Sequence, residues 1–161
     1  MSVKIFMLFV CAAIGTGAGF GFSRMYLRSS AYYSGICELI GELKRSIAVR
    51  RDSVVSVMKK FTSKSDRLNS QIAEYISYIS SKDGELRISR GFLSSSAYSE
   101  VSGFFSSLGG ADGEAQVKDL DRYLSKFEAD FAAADEKSKK YGPLAIKLGF
   151  LFGLCAGILF L

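Results

Sequence analysis

The chain contains no histidine, no tryptophan, one proline (Pro143) and three cysteines. Without histidine, Ser–His–Asp and Cys–His catalysis are excluded, as are His-ligated zinc and haem. Cys11, Cys37 and Cys155 stand far apart, so there is no CxxC spacing for metal or redox work. An odd, scattered set also makes no disulfide framework. Other catalytic signatures are equally thin. The close carboxylates Asp119/Asp121 and Asp135/Glu136 point in different directions on a helix, and Glu128 and Asp130 read as a solvated face. The glycine-rich stretch 109–113 lacks the Lys-Ser/Thr of a P-loop, and no strand precedes it. These absences predict a non-enzymatic protein with no cofactor and no metal.

Charge is absent in two places, and there the apolar residues collect. The 161 residues are 48% hydrophobic and 23% charged, with mean hydropathy +0.18, and the two kinds of residue are segregated. No charge occurs from Ile5 to Ser23 or from Leu148 to Leu161. The first run is 19 residues, long enough to span a bilayer as a helix. The second candidate is 144–161, interrupted by Lys147, which can snorkel to the interface. Gly142 and Pro143 suggest a break between a wet helix and this membrane helix. The resulting division is an N-terminal transmembrane helix in 1–23, a helical-bundle domain in 24–141 and a C-terminal transmembrane helix in 142–161.

A cleaved signal peptide is the competing reading of the N-terminus, with Lys4 as its basic region and Ala12–Ala13 or Ala18 as its small residues. The apolar run is long for that, and basic residues follow it. Arg24 and Arg28 flank the first span, and Lys137, Lys139, Lys140 and Lys147 flank the second, whereas the outer ends offer Lys4 alone. Basic residues beside spans stay on the cytoplasmic side, so the middle domain is expected in the cytoplasm and both chain ends at the far face.

The wet middle reads as all-α. Ile36, Leu39, Ile40, Leu43 and Ile47 form one helical stripe, and no strong breaker separates it from the first span. Asp52 or Ser53 caps a short helix with Val54, Val57, Met58 and Phe61 inward. Leu68, Ile72, Tyr75, Ile76 and Ile79 form a further stripe, and 82–84 reads as a turn. Val101, Phe104, Phe105 and Leu108 suggest another short helix ended by Gly109 and Gly110. Asp112 then caps a long helix with Val117, Leu120, Leu124, Phe127, Phe131 and Ala134 on one face, closed by Lys137 to Lys140. Two spans on one membrane face must return the chain, which predicts a membrane-anchored antiparallel helical bundle.

Between Arg24 and Arg67 there are ten basic and four acidic residues, and between Leu68 and Lys140 nine and twelve. The basic half suits an anionic lipid surface or an acidic protein partner. Nucleic acid fits poorly, for want of aromatic interleaving and any recognised motif. Gly15, Gly17, Gly19 and Gly21 make two overlapping small-xxx-small pairs in the first span, and Gly149, Gly153 and Gly157 a double GxxxG in the second. That spacing predicts close helix–helix packing, between the two spans or with partners.

The segment Phe105-Ser106-Ser107-Leu108-Gly109-Gly110-Ala111-Asp112-Gly113-Glu114-Ala115-Gln116-Val117-Lys118 leads into the long charged helix, Lys140-Tyr141 and a glycine-rich span. At the other end, a membrane helix is followed by Phe22-Ser23-Arg24 and the Leu39/Leu43/Ile47 helix. This combination resembles stage III sporulation protein AB of endospore-forming bacteria, over nearly the whole length. The resemblance implies a helical domain similar to the cytoplasmic domains of type II secretion and type IV pilus platform proteins. It implies membership of the channel-like complex between mother cell and forespore, in the outer forespore membrane, facing the mother-cell cytoplasm. The implied partners are the secretion-type ATPase, stage III sporulation protein AA, and other membrane components of that machine. Carried over by motif, Leu108, Gly109, Asp112 and Gln116 become the residues to follow, with Gln116 as a candidate partner contact. A platform adaptor is the function this implies; a self-associating membrane scaffold or holin-like small protein is the alternative.

Overall fold

The computed structural model describes residues 2–50, 53–81, 86–109 and 113–159. All regular elements among them are helical: α1 (Ser2–Arg45), a π turn (Ser46–Arg50), α2 (Val54–Lys60), α3 (Asp66–Ser81), α4 (Ser95–Ser107) and α5 (Gly113–Leu159). The chain divides into two compact units. One joins residues 1–30 to 131–161, and the other is residues 31–130.

The second unit has its own core. Tyr32, Ile36, Leu39, Ile40 and Leu43 of α1 are fully buried, as the 3- and 4-residue spacing requires. They meet Val57 and Met58 of α2, Leu68, Ile72 and Tyr75 of α3, Val101, Phe104 and Phe105 of α4, and Leu120 and Phe127 of α5. Each such side chain contributes about 1.5–3 kcal/mol by leaving water. Aromatic edges tie the set together, with Phe104 and Phe127 rings 5.9 Å apart at 87°. Ile79 leaves the expected α3 stripe and is exposed, because the core ends at Tyr75 and Ile76.

Local chemistry fixes the joints. Ser53 caps α2, its Oγ accepting from the Ser56 amide; Asp52, the other candidate cap, lies outside the described residues. The turn before α3 is locked by Asn69: its Oδ1 accepts from the Ser63 amide at 2.8 Å and its Nδ2 donates to the Ser63 carbonyl at 2.9 Å. That turn crosses α1 at Gly35, where an added Cβ would lie 2.9 Å from Leu68 Cδ2. Residues 86–93 form a non-helical strap held on α3. Ser89 donates its amide to Glu74 at 2.8 Å, and Gln71 Nε2 donates to the Ser89 carbonyl at 3.0 Å. Gln71 Oε1 in turn accepts from the buried Tyr32 hydroxyl at 2.6 Å. The turn expected at 82–84 lies outside the described residues.

Two expectations about α5 are corrected. Lys137 to Lys140 do not end the helix and Pro143 does not break it; α5 continues to Leu159 with Pro143 inside. The missing proline N–H would have paired with the Lys139 carbonyl, and Lys139 and Pro143 are both exposed, so solvent can take that acceptor. Asp130 is half-buried rather than on an open face, and burial followed by the Glu100 charge pushes its carboxyl above the usual range.

Candidate functional site: the glycine seam and the 108–116 turn

Among the described residues, two helices are long and apolar enough to cross a membrane, within Phe6–Val49 and Glu114–Leu159. Their apolar ends pack against each other in the first unit, along glycine. A Cβ added at Gly15 would lie 2.8 Å from Gly153 Cα, and one at Gly19 3.0 Å from Ile146 Cα. From the opposite helix, a Cβ at Gly149 would lie 3.0 Å from Gly19 Cα and one at Gly153 2.9 Å from Ala12 Cα. At Gly157 it would lie 3.2 Å from Leu8 Cα. At Gly15, Gly19, Gly149 and Gly153 the obstacles are backbone atoms within 3.0 Å, so no side chain can rotate aside and only glycine permits this approach; the fit at Gly157 is looser.

Gly17 and Gly21 are not in the seam, and nothing stands within 4 Å of a Cβ added at either. A helix turns 200° in two residues, which carries them away from the Gly15/Gly19 face. Of the two packing modes expected from their spacing, Gly17 and Gly21 therefore do not serve the one between the two spans of this chain. Thr16, near the seam, donates its hydroxyl to the Ala12 carbonyl at 2.7 Å and so hides its polarity inside its own helix.

At the wet end of the seam the residues change type. Buried Ser23 faces Gly142, where an added Cβ would lie 3.2 Å from its Oγ. Tyr26 and Tyr141 bring their rings to 6.0 Å across the two helices. Arg24 stands 4.9 Å over the Phe20 ring, and Lys140 5.5 Å over Tyr141. Arg28, Lys137 and Lys147 are exposed, and Lys139 pairs with Asp135 at 2.7 Å. Aromatic and basic residues gathered at one level suit the headgroup zone of a bilayer. The Tyr26/Tyr141 and Ser23/Gly142 pairings were not legible in sequence, since each joins residues more than a hundred positions apart.

The family-motif residues serve the second unit. Leu108 is buried and caps α4; its carbonyl accepts from the Tyr75 hydroxyl at 3.1 Å. Burial raises that phenol above its ordinary range, which keeps it a neutral donor. Gly109 follows at φ 84°, where a side chain would be strained. Gln116 is 7% exposed, and its Nε2 has no hydrogen-bond partner among the described residues. Asp112 lies outside the described residues. Among the described residues no three His, Cys, Asp or Glu side chains gather as metal ligands.

The chain matches the family model of stage III sporulation protein AB over residues 4–161. No curated protein and no solved structure matches it.

Proposed function

The chain belongs to the stage III sporulation protein AB family, and from that membership, which gives it a role in sporulation, we propose that it is a non-enzymatic membrane platform. It couples a cytoplasmic ATPase, stage III sporulation protein AA, to the other membrane components of a secretion-like complex between mother cell and forespore. It sits in the outer forespore membrane with residues 31–130 in the mother-cell cytoplasm.

One observation carries this reading: the apolar ends of α1 and α5 form a glycine-packed pair within one chain, and residues 31–130 have a core of their own. A paired anchor with an independent helical unit suits an adaptor that works by holding a partner. The intrachain seam supports a helical hairpin over spans that self-associate, and so favours the platform over a holin-like scaffold. The basic residues Arg24, Arg28, Lys137 and Lys140 beside the apolar segments support the cytoplasmic side for the helical unit.

Two measurements test it. A single cysteine at exposed Ser81, with the native three replaced, resists an impermeant maleimide in intact cells and reacts after lysis. Crosslinking in sporulating cells followed by capture of this chain recovers the ATPase. Labelling without lysis overturns the orientation, and capture without the ATPase overturns the coupling role.

A further inference from the structure

Arg67, in the first turn of α3, is a partly buried arginine that holds nothing. Its Nε is buried without an acceptor, and its guanidinium makes no ion pair or hydrogen bond among the described residues. A buried donor left unpaired is costly, yet the chain keeps this one in place. Gly91 of the strap, at φ 56°, makes the room: a Cβ added there would lie 2.5 Å from Cζ, Nε and Nη2 of Arg67. The guanidinium therefore rests on bare strap backbone, and no group within the chain uses it.

The surroundings of Arg67 say what it can meet. Phe92, the next residue of the strap, packs its ring edge-on to Tyr32 at 5.5 Å, yet is 47% exposed. Residues 62–74 and 86–93 hold four basic and two acidic residues, and one of those acids, Glu74, is taken up by the Ser89 amide. Arg67 is the charged side chain that acts on Tyr32, whereas Asp130 and Glu100 act on Tyr33, which is turned 100° away on α1. The acids of this level thus stand on another side. Finally, α1 is unbroken from Tyr26 to Tyr32, a rise of about 9 Å. Tyr26 belongs to the aromatic and basic level that suits the headgroup zone. That layer is roughly 5–7 Å deep, and surface charge acts about 8 Å beyond it at physiological salt.

We propose that Arg67 and Phe92 form a contact for an anionic phospholipid at the membrane surface. The outer N–H groups of the guanidinium take the headgroup phosphate, whose oxygens match its planar fork. Phe92 enters the headgroup layer beside it. An acidic protein segment would pair with the same fork, but the short distance to Tyr26 along α1 favours the lipid. The contact needs the two spans in a bilayer and nothing from the ATPase, so it stands or falls apart from the platform reading.

The chain has no tryptophan, so Phe92→Trp places a single indole on the strap. The full chain carrying it is put into phosphatidylcholine nanodiscs with increasing shares of phosphatidylglycerol, and quenching of the indole by aqueous acrylamide is measured. Phosphatidylglycerol is expected to protect the indole. Adding Arg67→Gln raises the share needed for half-protection about fivefold, which is about 1 kcal/mol at an anionic surface. Arg67→Lys, which keeps the charge without the fork, falls between. Lys59→Gln removes the same charge from α2 and leaves the midpoint unchanged. Since Arg67 has no partner within the chain, its variants keep the melting temperature level or raise it. An unchanged midpoint in Arg67→Gln, or equal protection in phosphatidylcholine alone, overturns the contact. A shift as large in Lys59→Gln makes the effect one of net charge and overturns it too. Protection by inorganic phosphate in phosphatidylcholine discs makes the site one for a free anion, and protection only on adding the purified ATPase makes the occupant a protein; either result removes the lipid.

Discussion

Placing leucine at Gly15 or at Gly17 separates seam packing from mere hydrophobicity. The two positions lie two residues apart in one apolar segment, so each substitution adds the same side chain to the same span. At Gly15 the new Cβ meets Gly153 Cα at 2.8 Å, while ordinary contact begins at 3.4 Å. The helices must therefore part by at least about 0.6 Å, before the rest of the leucine is placed. Such overpacking costs about 1–3 kcal/mol. At 1.4 kcal/mol per factor of ten, that lowers the closed-to-open ratio of the helix pair between about fivefold and a hundredfold. At Gly17 nothing lies within 4 Å, so the pair is untouched. The native Cys11 supplies a reporter, because a Cβ at Gly157 would stand 3.5 Å from the Cys11 Cβ, within the disulfide range of about 3.5–4.5 Å. Gly157→Cys, in a background with Cys37→Ser and Cys155→Ser, is expected to oxidise to an intrachain disulfide seen by non-reducing electrophoresis. Adding Gly15→Leu lowers the crosslinking rate, by up to the factor above, and adding Gly17→Leu leaves it unchanged. Equal rates in the two variants, or a disulfide that forms only between chains, would refute the intrachain seam.

Tyr32→Phe removes the donor to Gln71 Oε1 and leaves that oxygen buried at a site whose other amide atom already serves the strap at Ser89. Leaving it unsatisfied costs about 1–3 kcal/mol, read as a lower melting temperature of the helical unit by circular dichroism. Cys37 is a slow nucleophile for a related reason: burial, then the charges of Glu128, Glu38 and Asp130, push its thiol from 9.0 to about 11. Because only the thiolate reacts, at mildly alkaline pH its alkylation in the folded chain is expected about a hundredfold slower than that of an unperturbed thiol. The rate should go on rising with pH beyond the point where a free thiol has levelled off. Mass-spectrometric alkylation profiles against pH check this.

Much of the architecture is legible in the residues alone. The charge-free run 5–23 and the apolar run toward the C-terminus are visible because a bilayer span leaves a one-dimensional record: length times apolarity. The stripe from Ile36 to Leu43 and that of Val101, Phe104, Phe105 and Leu108 are visible because burial on one helical face repeats every 3.6 residues. Leu108, Gly109, Asp112 and Gln116 carried the family resemblance together with the chain length and the apolar segment at each end. What misled was punctuation. Pro143 and the lysines at 137–140 are local stop signals, and the long α5 overrides them with its packed glycine face and a freed carbonyl on an exposed side.

Residue periodicity and hydropathy were enough to make the chain helical, segregated into apolar ends and a charged middle, and glycine-spaced in both spans. Tertiary structure alone decided which glycines are used. Gly15 and Gly19 press on Gly149 and Gly153 while Gly17 and Gly21 stand open, a difference that four-residue spacing states equally for both pairs. It also decided that Tyr26 meets Tyr141, that Gln71 links Tyr32 to the Ser89 strap, and that Gly41 faces empty space. Periodicity fixes the angle of a residue around its own helix, whereas a contact also needs the position, crossing and separation of the second helix, and those arise only when the distant faces are packed.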